Sequence, residues 1–251
     1  MKTQRKFFLL LAVAIATLAF NTVAQYRFEV KDIDFDKIKK ETLDKDSRYY
    51  YPKLVRSFKS NDTIMNFEAY RMLYYGFVFQ EDYNPFRSVT LANQDEVEDL
   101  YYKQNLNRDE CDRIEEFAVM ALDNNLFDID QLNNYIYALK QKKKYARAAV
   151  RQYRLDKLIA AIMSSGRGTQ NEPWIVIFPE HEYNIVNLLG YVAQDHIELD
   201  GGIDCIKAVK IDDSSKAKDF YFDVAMMLRE TARKFPEDFY PPSSNYDDND
   251  D

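Results

Sequence analysis

The sequence predicts an α+β protein: a long, mainly α-helical first part, then a small mixed part with about three strands. Two observations carry this. From Leu54 to Ile162 the apolar residues recur at helical spacing, segment after segment. Past Ser164-Ser165-Gly166-Arg167-Gly168 the texture changes to short apolar runs punctuated by Gly and Pro, which reads as strands and turns. The only Trp, Trp174, and one of the two His, His181, lie just behind that boundary. The chain divides accordingly. Residues 1–24 read as a signal peptide, 25–165 as a helical region, 166–236 as a small α+β region packed on it, and 237–251 as a disordered acidic tail.

The first residues set the compartment. Lys2, Arg5 and Lys6 precede an apolar run from Phe7 to Phe20, and Thr22-Val23-Ala24 offers a small-x-small cleavage site ahead of Gln25. The run is shorter than the ~20 residues a membrane span needs. No Cys follows the site for lipid attachment. The expected product is a periplasmic or extracellular protein, not a lipoprotein, with no membrane insertion after signal removal. Three basic residues leave with the signal, so the formal charge of −8 becomes −11. Nucleic acid is excluded as a partner, because phosphate binding depends on Lys/Arg neutralisation. The basic cluster Lys140 to Arg151 reads as the solvated face of a helix. Cys111 and Cys205 form no metal spacing; they can pair in an oxidising compartment or sit apart as small buried residues.

Element by element, Gln25 to Lys40 alternates weakly, as an extended arm or a first short helix. Pro52 suits the first turn of a helix carrying Leu54, Val55 and Phe58 on one face. Thr63 or Asn66 caps the next, with Phe67, Tyr70, Leu73, Tyr74 and Phe77 at helical spacing. Gly76 marks a close helix contact or the end of that helix. Tyr83-Asn84-Pro85-Phe86 is a break, and Asn93 to Asn107 a weaker helix. Asp109 is expected to cap a helix bearing Ile114, Phe117, Ala118, Ala121 and Leu122. Asp128 opens another, with Gln131 in capping-box position and Leu132, Tyr135, Ile136 and Leu139 inward. The last of this series is lined by Tyr145, Ala148, Leu155, Leu158, Ile159 and Ile162. Gly166 is expected to end it in the left-handed conformation.

Behind the boundary, Trp174 to Phe178 is an apolar run between Pro173 and Pro179 and predicts a buried strand. Tyr183 to Val192 predicts a short helix, and Asp200-Gly201-Gly202 a turn. Ile203 to Ile211 and Phe220 to Val224 predict two more strands, and Ala225 to Phe235 a closing helix.

The helical series resembles a tetratricopeptide repeat. Leu132, Tyr135, Ile136, Leu139, Tyr145 and Ala148 occupy that family's apolar positions in order, and Ala121 the small position of the preceding unit. Ile136 and Lys143 stand where small residues or Gly are usual. The chain also resembles the exported proteins of Bacteroides-type bacteria grouped as domain of unknown function 4919. The matching segments are Tyr51-Pro52-Lys53-Leu54-Val55, Asn61-Asp62-Thr63, Tyr70 with Leu73 to Phe77, Ile162 with Ser164 to Gly168, Ile175-Val176-Ile177, His181-Glu182-Tyr183 and Phe220 to Val224. This resemblance implies an exported protein with a helical front and a small sheet-containing back, and no particular chemistry. Arg167 departs from the Asp commoner there.

Glu180-His181-Glu182 is the local cluster suited to acid–base or metal work. On an extended chain Glu180 and Glu182 would converge while His181 faces away. The ligand set is incomplete: there is no HExxH spacing, and the other His is His196. No cofactor and no metal is therefore expected, and His181 is read first as a structural residue fixing a turn after the Trp174 strand. Ser164 to Thr169 is no phosphate loop, since it follows a helix and lacks the Gly-Lys-Ser/Thr end. The nineteen Tyr suit half-buried packing between helices. Exposed ones could stack on sugars. The expected function is a non-enzymatic interaction or scaffold protein using the helical stack, with protein as the partner and a glycan second. The alternative is a hydrolase-like or metal-dependent enzyme centred on His181 with Glu180 and Glu182.

Overall fold

The computed structural model describes residues 29–60, 65–87, 89–103 and 105–236. The expected signal peptide 1–24, the expected start at Gln25, Thr63 as a candidate cap and the expected tail 237–251 lie outside these residues. Among the described residues the chain is helix-rich α+β. Seven helices come first: α1 (Phe35–Leu43), α2 (Tyr51–Lys59), α3 (Phe67–Gly76), α4 (Gln94–Tyr101), α5 (Arg108–Asn124), α6 (Ile129–Gln141) and α7 (Tyr145–Met163), with a 3-10 turn at Phe77–Phe79. Then follow β1 (Trp174–Ile175), α8 (Glu180–Leu188), β2 (Tyr191–Leu199), β3 (Ile203–Lys210), β4 (Ala217–Asp223) and α9 (Ala225–Lys234). The sheet runs β1-β4-β3-β2, with β1 parallel to β4 and the other pairs antiparallel.

The helices begin where side chains satisfy their free amides. Asn66 accepts from Ala69 N at 2.8 Å and Asp128 from Gln131 N at 2.9 Å. The cap of α5 is Asn107, not Asp109: Asn107 and Glu110 bond each other's backbone reciprocally, at 2.9 Å both ways. Gln131 does not return the bond at Asp128, because its side-chain oxygen takes the Tyr101 hydroxyl at 3.0 Å. Two helix ends are closed by cationic side chains, Arg154 buried and Lys234 half-buried. Arg154 donates to the carbonyls of Phe58 and Lys59 at the end of α2, and Lys234 to Val78 O at 2.9 Å and to Gln80 O behind the 3-10 turn.

Helix α3 lies at the centre, buried on every side from Ala69 to Gly76. Gly76 meets α1 there; a Cβ on it would stand 2.6 Å from Thr42 Cγ2. A continuous apolar cluster runs from Ile38 through α2, α3, α6 and α7 into Trp174, Val186, Ile206, Phe220 and Met227, so helices and sheet share one core. A smaller cluster joins Val97, Leu100, Cys111, Ile114, Phe117, Ala121 and Ala138. Cys111 and Cys205 are both buried and free.

Several expectations need correction. The α+β class holds, and among the described residues the sheet has four strands where about three were expected. β2, where only the end of a helix was expected, pairs along its whole length with β3. The Trp174 strand is two residues long; Val176 to Phe178 are buried beyond its end, with Val176 N still bonded to Asp223 O of β4 at 3.2 Å. Tyr145 is not inward: the helix starts there, it is 64% exposed, and Ala148 alone reaches the interior between Tyr145 and Tyr153. Gly166 is not left-handed. It is required because a Cβ would lie 2.0 Å from the Pro173 carbonyl oxygen. Glu180 to Glu182 form no turn; they are the first turn of α8.

The junction of α6 and α7 closes with the carbonyls of Lys140 and Leu139 accepting from Lys143 N (3.0 Å) and Lys144 N (2.8 Å), the two bonds of a Schellman motif. Lys143 holds the left-handed position, with φ 58°, that normally falls to Gly. An L-residue there costs about 1–2 kcal/mol, and Gly returns part of that as unfolded-chain entropy. Lys143→Gly should therefore raise stability by about 0.5–1 kcal/mol in denaturant unfolding, and Lys143→Ala should not. Equal midpoints for Gly and Ala would contradict this account.

Candidate functional site

Residues 180–182 sit where α8 enters the core, and helical geometry turns neighbouring side chains about 100° apart. His181 faces the helical part and is fully buried. Its Nε2 lies 2.9 Å from the Phe127 carbonyl oxygen, which can only accept, so Nε2 carries the proton. Nδ1 is then an acceptor, and the Tyr74 hydroxyl donates to it at 2.7 Å. The same hydroxyl accepts from Ile177 N at 3.2 Å. Tyr74 stacks on the ring and Phe178 meets it edge-on. Burial pushes the imidazole down to about 4, opposed by the Phe127 carbonyl. His181 is thus a neutral ring with both nitrogens bonded.

Two more tyrosines serve the same segment. Tyr83 donates to Ile177 O at 2.7 Å, and Tyr75 to Ile175 O at 3.2 Å. On the same side, Ser165 Oγ accepts from Ile175 N at 2.8 Å. These bonds satisfy the backbone of Ile175 and Ile177 on the side away from β4, while Val176 N still bonds Asp223 O at 3.2 Å.

Glu180 stands at the head of α8 beside Asp128 and Asp130 on α6. Crowding by protein, then those two charges, raises its carboxyl to about 7. Asp128 is raised to about 6, chiefly by burial. Asn184, one turn on, donates to Asp130 Oδ1 at 2.9 Å.

Glu182 turns the other way, toward the β2–β3 hairpin, and is 1% exposed. His196 on β2 pairs opposite Ile206, and Asp204 lies two residues from Ile206 on the same face. That diagonal brings His196 Nε2 to 3.2 Å from Asp204 Oδ2 and 3.8 Å from Glu182 Oε2. The three potential ligand atoms all fall within 4.8 Å of one another. No hydrogen-bond partner reaches Glu182 Oε2. The Asp204 carboxyl beside it offers lone pairs, so the two acids can pair directly only by sharing a proton. Burial first, then Asp204 and more remotely Glu198, push the Glu182 carboxyl well above the usual range.

Of the candidate residues, Glu180, His181 and Glu182 thus face three different surroundings. Glu182 alone joins a cluster with chemistry, and its partners are His196 and Asp204. The turn at Asp200-Gly201-Gly202 was the available signal: a strand on each side of it sets His196 diagonally from Asp204.

A helix-rich α+β chain with a four-stranded mixed sheet and a half-buried acid–imidazole cluster is the class these features define. It belongs to the family described as Domain of unknown function (DUF4919), which it matches over residues 36–233. No curated protein and no solved structure matches the chain.

Two predictions follow the two faces of α8. Tyr74→Phe leaves both His181 Nδ1 and Ile177 N without a partner, at about 1–3 kcal/mol for each buried group. It should cost about 2–4 kcal/mol in denaturant unfolding, against about 0.5 or less for Tyr183→Phe on the exposed side; a loss no larger than that of Tyr183→Phe would remove the hydroxyl from its assigned place. In metal-free protein Glu182 keeps its proton when folded and releases it when unfolded. Its contribution is full below the ordinary carboxylate range and is lost as pH climbs through neutrality. Neutral His181 acts oppositely, its contribution draining as pH falls from the ordinary imidazole value toward 4. Melting temperature should decline from pH 6.5 to 8.5, and Glu182→Gln should flatten that decline. An equal slope in the variant would assign the pH dependence elsewhere.

Proposed function

We propose that the protein is exported and works by binding another protein, without catalysing a reaction, through the outer surface of α7. The charged start, the apolar run Phe7 to Phe20 and the small-x-small site before Gln25 support export. One observation carries the binding reading. Along the first half of α7 only Ala148 is buried, while Tyr145, Val150 and Tyr153 are exposed. Exposed aromatic residues beside cationic ones are the side chains that dominate protein contacts. Here Lys157 lies over the exposed Tyr153 ring at 5.2 Å, and Arg147 beside Tyr145 is exposed. In a chain of net charge −8 this local basic rim suits a partner segment combining acidic and apolar side chains. The tetratricopeptide-like pattern of α5 to α7 supports the same reading. Catalysis centred on His181 has no free ring nitrogen to use.

The test is photo-crosslinking from Tyr145 and Tyr153 in the producing cell, with Lys216 as the control position. The recovered protein should begin at Gln25, and both α7 positions should yield one shared protein adduct that the control does not. Adducts equal at all three positions, carbohydrate in place of protein, or a product retaining Phe7 to Phe20 would overturn the reading.

A further inference from the structure

We infer that Glu182, His196 and Asp204 form a binding site for one divalent transition-metal ion of the zinc class. Two carboxyl groups face each other at the junction of α8 and the β2–β3 hairpin, and Glu182, 1% exposed, has no donor at Oε2 to hold it once ionised. A buried carboxylate oxygen with no donor is costly, and a cation placed among the three groups removes that cost.

The geometry fits. Ligands held at about 2.0–2.2 Å around a tetrahedral ion lie about 3.3–3.6 Å from one another. The imidazole nitrogen stands 3.2 Å from Asp204 Oδ2 and 3.8 Å from Glu182 Oε2, on either side of that spacing. Three protein ligands leave a fourth position for water or a further group. An imidazole beside two carboxylates selects a borderline metal, whereas magnesium and calcium take oxygen throughout.

The scaffold is fixed where a site needs it to be. His196 and Asp204 are set by the hairpin register, and Glu182 by the first turn of α8. The Tyr183 ring meets His196 edge-on at 6.2 Å. The His196 side chain is 34% exposed, so an ion reaches the cluster from solvent without unfolding. The sequence supports this placement only through the hairpin, since the three ligands come from three elements.

The full chain, purified without a histidine tag and stripped with EDTA, is titrated with zinc chloride against a chromophoric chelator, with circular dichroism to monitor the fold. One zinc per chain should bind and raise the melting temperature, and excess calcium should not displace it. Changes outside the ligand shell alone cost about 10–100-fold in affinity, so His196→Ala and Asp204→Asn should each weaken binding at least about tenfold. Glu182→Gln should do the same; if it fails to fold, the half-exposed His196 still decides the question. Absence of stoichiometric binding, unchanged affinity in His196→Ala, or displacement by calcium would overturn the site.

Discussion

Every apolar residue drawn into a core brings an amide and a carbonyl with it, and these must be bonded there. The stretch from Trp174 to Phe178 meets this demand with almost no sheet. Val176 N keeps a bond to Asp223 O at 3.2 Å, but Ile175 and Ile177 turn to Ser165, Tyr74, Tyr75 and Tyr83. Three of those partners come from α3 and the loop behind it. The helical part therefore supplies the polar groups, and the mixed part the backbone that needs them. Neither satisfies its interior alone, which accounts for the single apolar cluster running through both.

The same demand fixes what His181 can be. It joins Tyr74 on α3 to the Phe127 carbonyl ahead of α6, and one tautomer alone satisfies both contacts. A proton added to the ring would arrive at a nitrogen already receiving the Tyr74 hydrogen. The next residue, Glu182, has the reverse character: its carboxyl oxygen lacks a donor and faces another acid. One helical step thus separates a completed hydrogen-bond network from an incomplete one, and the incomplete one is where a ligand has something to add.

The helices were legible in the sequence because their apolar spacing and capping residues are local signals. Asn66 and Asp128 cap as their sequence context predicts, and Pro52 opens α2. What escaped depends on distant partners. Trp174 to Phe178 has the composition of a strand, yet hydroxyls more than ninety positions away in the chain take over its bonding. Tyr191 to Leu199 escaped for the opposite reason: much of β2 faces solvent, so it lacks the apolar pattern that marks a buried strand. Losing β2 meant losing the hairpin register, and with it the approach of His196 to Asp204. Glu182 was legible as a residue of interest, but the period-2 geometry assumed for it belongs to a strand, and α8 sends its neighbours elsewhere.

The two margins of the sheet differ in what they offer to a further strand. On the β1 side the unpaired backbone groups are already taken by Ser165 and the tyrosines, so no foreign strand finds a template there. On the other side β2 is the last strand of the sheet among the described residues, but it is interrupted between Ala193 and Asp195 and carries exposed Asp195 and Glu198. A bulge and repelling charges along an open margin are the means by which soluble sheets avoid adding to one another end over end. One margin is sealed by tyrosines from the helical half and the other defended by its own acids, so this small sheet resists growth into fibrils from both directions.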